Sequence, residues 1–186
     1  MFLVDRDIII SLFVGMKFRS LLILPLLVAS LQAATVADLT FTLNSDNTEY
    51  SVSDCLATAS GSLDIPSTYN GLPVTSIEFG AFRDCNGLIS ITIPDSVTAI
   101  WGHTFYNCSS LTSVTIPDSV TAIWGSAFES CGNLTSITIP DSVTTIGYEA
   151  FRNSGQTSIS IPDSVTSILK YAFSDTSLQF VKDSKN

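Results

Sequence analysis

The string Ile-Pro-Asp-Ser-Val begins at Ile93, Ile116, Ile139 and Ile161, at steps of 23, 23 and 22 residues, and a looser copy begins at Ile65. Self-similarity at a fixed period in this range restricts the chain to stacked coils, because one unit is too small to bury its own apolar side and only neighbouring copies can cover it. Within the unit Cys108–Ser130, Leu111, Val114 and Ile116 feed one face of a short strand inward. Pro117-Asp118-Ser119 turns the chain, Val120 and Ile123 form a second short extended segment, and Ala127-Phe128 close the coil in a helical or 3₁₀ turn. Around Ile65 the short turn is replaced by a longer loop, Pro66–Val74.

Equivalent residues form ladders along such an array. Phe82, Phe105, Phe128, Phe151 and Phe173 recur at one position, and Ile77, Ile100, Ile123, Ile146 and Ile168 at another. Aromatic rings at the spacing of neighbouring strands, about 5 Å, stack in offset fashion, so the phenylalanines are read as core. Cys85, Cys108 and Cys131 share a third position that Ser154 and Thr176 continue. That exchange asks for a small residue able to hydrogen-bond inside the coil. Structural thiols are therefore the first reading, a disulfide the second and a metal site the third; side chains from in-register neighbours project in parallel, which suits a disulfide poorly. A pairing of Cys55 with Cys85 stays open.

These units resemble leucine-rich repeats of the BspA-like type. The residues that carry the resemblance are Cys131-x-x-Leu134-x-x-Ile137-x-Ile139-Pro140-x-x-Val143-x-x-Ile146-Gly147-x-x-Ala150-Phe151, and the match covers about residues 65–180. The resemblance implies a solenoid of parallel strands and a binding role at a bacterial or protist surface, often adhesion, and it implies no catalytic residues. Trp101 and Trp124 depart from the pattern, standing where Gly147 shows the usual glycine.

The expected organisation is a signal region over 1–33, an N-terminal cap over 34–64, a solenoid of about five repeats over 65–181 and a polar tail over 182–186. Lys17 and Arg19, the apolar run Leu21–Leu31 and the small residues Ala29, Ser30, Ala33 and Ala34 compose a secretory signal. Met16 is read as the true start, with residues 1–15 as an upstream extension; the alternative is a membrane anchor built from both apolar stretches. In the cap, Leu39–Leu43 and Tyr50–Ser53 flank Asn44-Ser45-Asp46-Asn47 as a β-hairpin. At the far end Ser177–Val181 reads as a partial strand, and this end is a candidate for self-association.

Charge narrows the partners. The chain has 8 Lys+Arg against 17 Asp+Glu, a formal net charge of −9. Loss of residues 1–33 takes away Arg6, Lys17 and Arg19 against Asp5 and Asp7 and leaves 5 basic and 15 acidic residues. Such a surface is unsuited to nucleic acid, which needs clustered cations, and it repels anionic membranes. No membrane span and no cofactor is expected in the mature chain. Asp95, Asp118, Asp141 and Asp163 form an acidic ladder read as solvated turn residues, because the glycine-rich calcium repeat is absent.

The candidate ligand surface comprises Trp101 and Trp124, one repeat apart, with His103 close by, and the outward hydroxyls Thr92, Thr115 and Thr138 on the strand face. Paired exposed aromatics serve as a platform for a sugar ring or as a protein hot spot. Short solenoids offer open surfaces rather than pockets with convergent polar groups, so no enzyme is expected. The reading is an exported, non-enzymatic repeat protein that binds an extracellular or surface protein, as in adhesion. The alternatives are a polysaccharide binder using Trp101 and Trp124, or a structural spacer or array fragment with no ligand of its own.

Overall fold

The computed structural model describes residues 33–183; the signal region, apart from Ala33, and residues 184–186 lie outside the described residues. A 3₁₀ turn at Val36–Asp38 leads into β1 (Leu39–Leu43), β2 (Tyr50–Cys55), β3 (Ser60–Asp64), β4 (Thr68–Tyr69) and β5 (Leu72–Ile77). Then follow β6 (Gly87–Thr92), β7 (Ala99–Ile100), β8 (Ser113–Thr115), β9 (Ala122–Ile123), β10 (Thr145–Ile146), β11 (Ser158–Ile161), β12 (Ser167–Ile168) and β13 (Phe180–Asp183). One sheet runs β1-β2-β5-β7-β9-β10-β12; a second runs β3-β6-β8, and β11 pairs with β13. Apart from β1 with β2 and β4 with β5, these pairs are parallel, as a chain that returns to the same position in each coil requires.

The ladders are in register. Ile77 faces Ile100, Ile100 faces Ile123, Ile123 faces Ile146, and Ile146 faces Ile168. The first four are fully buried, whereas Ile168 in the last coil is 50% exposed. The phenylalanines stack throughout: neighbouring rings lie 5.2, 5.2, 5.2 and 5.3 Å apart from Phe82 to Phe173, and the interplanar angle closes from 21° to 3°. Each pair adds about 0.5–1.5 kcal/mol beyond its burial.

In three of its four copies the serine of Ile-Pro-Asp-Ser-Val acts as a rung between coils, while Ser164 Oγ in the last copy has no hydrogen-bond partner. Ser96, Ser119 and Ser142 donate to the carbonyls of Val74, Val97 and Val120 at 2.5, 2.5 and 2.7 Å. The turn that closes each coil is only partly of the 3₁₀ kind. Ala127, Glu129 and Cys131 donate three residues back, to Trp124, Ser126 and Phe128. The alternating Ser126, Phe128 and Ser130 donate instead to Tyr148, Ala150 and Arg152 of the next coil. Two left-handed residues make this alternation in every coil: Ser126 (φ 55°) and Ser130 (φ 61°) here, His103 (φ 57°) and Asn107 (φ 57°) one coil earlier. Asn, Asp and Ser at these positions suit that conformation because their short side chains bond locally.

The N-terminal hairpin forms as β1 and β2, and β2 adds in parallel to β5, so the hairpin closes that end of the solenoid. Phe41 stacks on Tyr69 at 4.0 Å, with Tyr50 edge-on to both rings. The longer loop after Ile65 is itself a hairpin: β4 and β5 meet across Asn70-Gly71, both at positive φ, the geometry of a tight two-residue turn. The parallel ladder reaches back to β3, within the stretch read from sequence as cap. The terminal strand lies later than Ser177–Val181. It spans Phe180–Asp183, pairs Val181 with Ile159, and takes Lys182 and Asp183 out of the expected tail. Leu178 has the spacing of Leu111 and Gln156, which precede β8 and β11.

The second sheet stops at β8. Leu134, Ile137 and Ile139 are buried as the repeat demands, but no strand forms there. The break adjoins the unit shortened to 22 residues, where Gly155 donates back to the Cys131 carbonyl at 3.1 Å. In that unit Gln156 takes the position of Leu88, Leu111 and Leu134 and is fully buried. Ser154 donates to its Oε1, while its Nε2 has no hydrogen-bond partner.

Candidate functional site

One edge of the coils carries two adjacent rows of residues. The first reads Glu78, Trp101, Trp124, Gly147, Leu169 and the second Phe79, Gly102, Gly125, Tyr148, Lys170. They follow directly on the isoleucine ladder, so the buried isoleucines fix where they emerge. Trp101 and Trp124 are 45% and 42% exposed, Phe79 is 68% exposed, and Tyr148 is also exposed. A Cβ on Gly102 would come within 3.1 Å of both the Phe79 ring and the Gly125 carbonyl oxygen, so the ring lies over a bare backbone floor. The tryptophan row ends at Gly147 for a steric reason: a Cβ there would come within 2.6 Å of the Gly125 and Trp124 backbones.

Together these residues form an open trough of about 320 Å³, lined by Phe79, Trp101, Trp124 and Tyr148 with His103 and Ser126. Its size lies at the lower end of ligand pockets. The indoles are nearly parallel, at 6°, with centroids 5.6 Å apart. Two indoles side by side in one plane need more room than that, so the pair is an offset stack, each ring partly covering the other. It supplies edges and one outer face, not the shared flat platform on which a sugar ring sits.

His103 joins the trough half-buried, its ring 4.8 Å from Phe79 and 5.4 Å from Tyr106, with Nδ1 buried and without a hydrogen-bond partner. Tyr106 carries the Arg83 guanidinium over its face at 4.8 Å. Further along the edge Tyr148 meets Tyr171 edge-on at 5.7 Å. Thr92, Thr115 and Thr138 are exposed but lie apart from the trough. Thr92 and Thr115 are register partners on β6 and β8, while Thr138 falls in the gap where no strand forms. Phe79 and Tyr148 were not singled out from sequence. The available signal was an aromatic at a position that neighbouring coils fill with glycine.

The cysteine ladder is interior. Cys108 and Cys131 donate to the Phe82 and Phe105 carbonyls of the preceding coil, each at 3.0 Å, whereas Thr176 donates within its own coil, to Phe173 at 2.9 Å. Burial pushes the Cys108 thiol up and the Cys131 thiol up to about 12. Asp95, Asp118, Asp141 and Asp163 stand exposed at their turns, and no cluster of metal-ligating side chains occurs among the described residues. Arg152 reaches Glu149 at 3.0 Å, Asp175 at 3.1 Å and Glu129 at 3.8 Å, a partly exposed network across three coils.

Residues 60–186 match the model of the BspA-type leucine-rich repeat region, in six copies. The chain belongs to the BspA-type leucine-rich repeat family. The parallel strand β3, which begins at Ser60, accounts for a match that starts ahead of Ile65. Among solved structures, a T. pallidum leucine-rich repeat protein is 27% identical with a TM-score of 0.72, over 79% of this chain and 69% of that one. One from Bacteroides ovatus is 33% identical with a TM-score of 0.69, over 78% of this chain and 39% of the other. One from Eubacterium ventriosum is 26% identical, TM-score 0.59, over 68% of this chain and 33% of the other. This BspA-type chain thus spans well under half the length of two of those relatives. No curated protein matches it.

Proposed function

We propose that this BspA-type chain is an exported, non-catalytic binding protein of the cell surface that engages another protein through its aromatic trough. The supporting observation is the tryptophan pair: large apolar side chains at repeat spacing that the core leaves 42–45% exposed, bordered by exposed Phe79 and Tyr148. Contiguous exposed aromatics of this kind mark interaction sites, and Trp and Tyr lead the residue types that anchor protein interfaces. Leucine-rich repeat families are generally non-enzymatic. The offset indole stack favours an inserted apolar side chain over a sugar ring. The acidic surface, at net −9, favours a basic partner.

The chain contains 2 tryptophans, and both line the trough, so their emission reports its occupancy directly. Titration with a panel of matrix proteins and polysaccharides is expected to give a saturable emission shift with a protein. A shift with a polysaccharide alone would replace the protein reading by the carbohydrate one. Saturable binding that leaves the emission unchanged would move the site to another face, such as that of Thr92 and Thr115. Absence of binding by the folded chain would leave a spacer.

A further inference from the structure

A second feature, independent of the trough, lies where the cap meets the first coil. Cys55 is the last residue of β2 and Cys85 opens the cysteine ladder; both are buried. Further down, each ladder thiol is held by the carbonyl of a phenylalanine one coil back. Cys85 faces the cap instead. Its Sγ lies 3.6 Å from the Cys55 carbonyl oxygen and 4.0 Å from that of Leu56, and the Cys55 Sγ lies 3.7 Å from the same Leu56 oxygen. The two thiols thus converge on one carbonyl, that of Leu56. The approach differs from that between ladder cysteines. Cys85, Cys108 and Cys131 occupy equivalent positions in successive coils, which suits a bond poorly, whereas Cys55 comes from a different element, the end of β2.

We propose that Cys55 and Cys85 are the site of a disulfide that staples the N-terminal hairpin to the first repeat, formed by exchange with a small-molecule disulfide of the oxidised-glutathione class. One protein thiolate attacks the oxidant, forming a mixed disulfide and releasing one small thiol. The second protein thiolate then attacks the protein sulfur of that mixed disulfide and releases the other small thiol. Two protein S–H bonds are lost and one S–S bond is made; the oxidant's S–S bond is cleaved, and it takes both electrons and both protons. Both sulfurs are buried once the hairpin is docked, so the exchange belongs to folding, before the cap closes over them. Cys108 and Cys131, each already bonded to a carbonyl deeper in the coil, stay reduced.

The test is to refold the full chain in a glutathione redox buffer, block free thiols under denaturing conditions, and measure the intact mass and the cross-linked peptides. The expected result is a loss of 2 hydrogens, one Cys55–Cys85 cross-link, and blocked Cys108 and Cys131. A closed loop of this length should raise the melting temperature by about 5–10 °C over the reduced chain. Cys55→Ser should melt with the reduced wild type and show no gain in the oxidising buffer, while the Cys108→Ser/Cys131→Ser double variant should keep both cross-link and gain. Four blocked thiols in the oxidising buffer, or a cross-link through Cys108 or Cys131, would overturn the proposal.

Discussion

The two aromatic ladders of this molecule use the same geometry for opposite ends. Phe82 to Phe173 and the pair Trp101/Trp124 both recur at repeat spacing and both stack near-parallel, at 5.2–5.3 Å and 5.6 Å. The phenylalanines run through every coil, and four of the five are fully buried. The tryptophans occupy two coils, between Glu78 and a Gly147 that has no room for a side chain, and remain nearly half exposed. A feature that every coil shares is needed to close each coil on the next. One confined to two neighbouring coils is dispensable for that, and its exposed apolar area calls for another explanation. Continuity separates architecture from site here, more reliably than residue type.

The contrast can be broken from either side. Phe128→Ala leaves a cavity in the middle of the buried ladder and should cost about 3–5 kcal/mol, lowering the melting point by about 10 °C or more; a loss below 1 kcal/mol would mean the ladder does not carry the stack. Gln156→Leu restores the leucine of the neighbouring coils and removes an unpartnered buried amide. It should add about 1–3 kcal/mol and a few degrees in a thermal melt, and destabilisation would show that the amide is needed. The reduced chain should lose stability as the pH rises from about 9. The unfolded thiols ionise there, while native Cys131, at about 12, stays protonated; urea titrations between pH 8 and pH 10.5 read this, and a flat profile would contradict it. Trp101→Ala/Trp124→Ala should have the smallest effect on folding, about 1–2 kcal/mol from lost stacking and partial burial.

Much of this was legible in the repeat. Identical residues at a fixed period fixed the coil, its inward isoleucines and phenylalanines, and the hydrogen-bonding role of the Cys/Ser/Thr position. The cap hairpin showed in its alternating strands. The three departures have local causes. The terminal strand lies later because Leu178 matches Leu111 and Gln156, which precede their strands, a distinction that period counting in the partial last unit blurred. The second sheet stops beside the unit that is one residue short. Gln156 hid because that same deletion shifts it into the leucine position. As for the site, sequence located Trp101, Trp124 and His103 at one edge, but the relative tilt of the indoles and the roles of Phe79 and Tyr148 depend on how adjacent coils stack. Thr92, Thr115 and Thr138 share a spacing with the tryptophans but not a surface.

The most direct test of the account is to bring wild type and Trp101→Ala/Trp124→Ala, both shown by melting to be folded, over the same immobilised panel of extracellular proteins and polysaccharides. The wild type is expected to capture a protein saturably and the variant to lose at least tenfold in affinity, with the two melting points only a few degrees apart. Equal capture by both chains would show that the tryptophans are not the site, and a variant that fails to fold would place them with the phenylalanines as architecture.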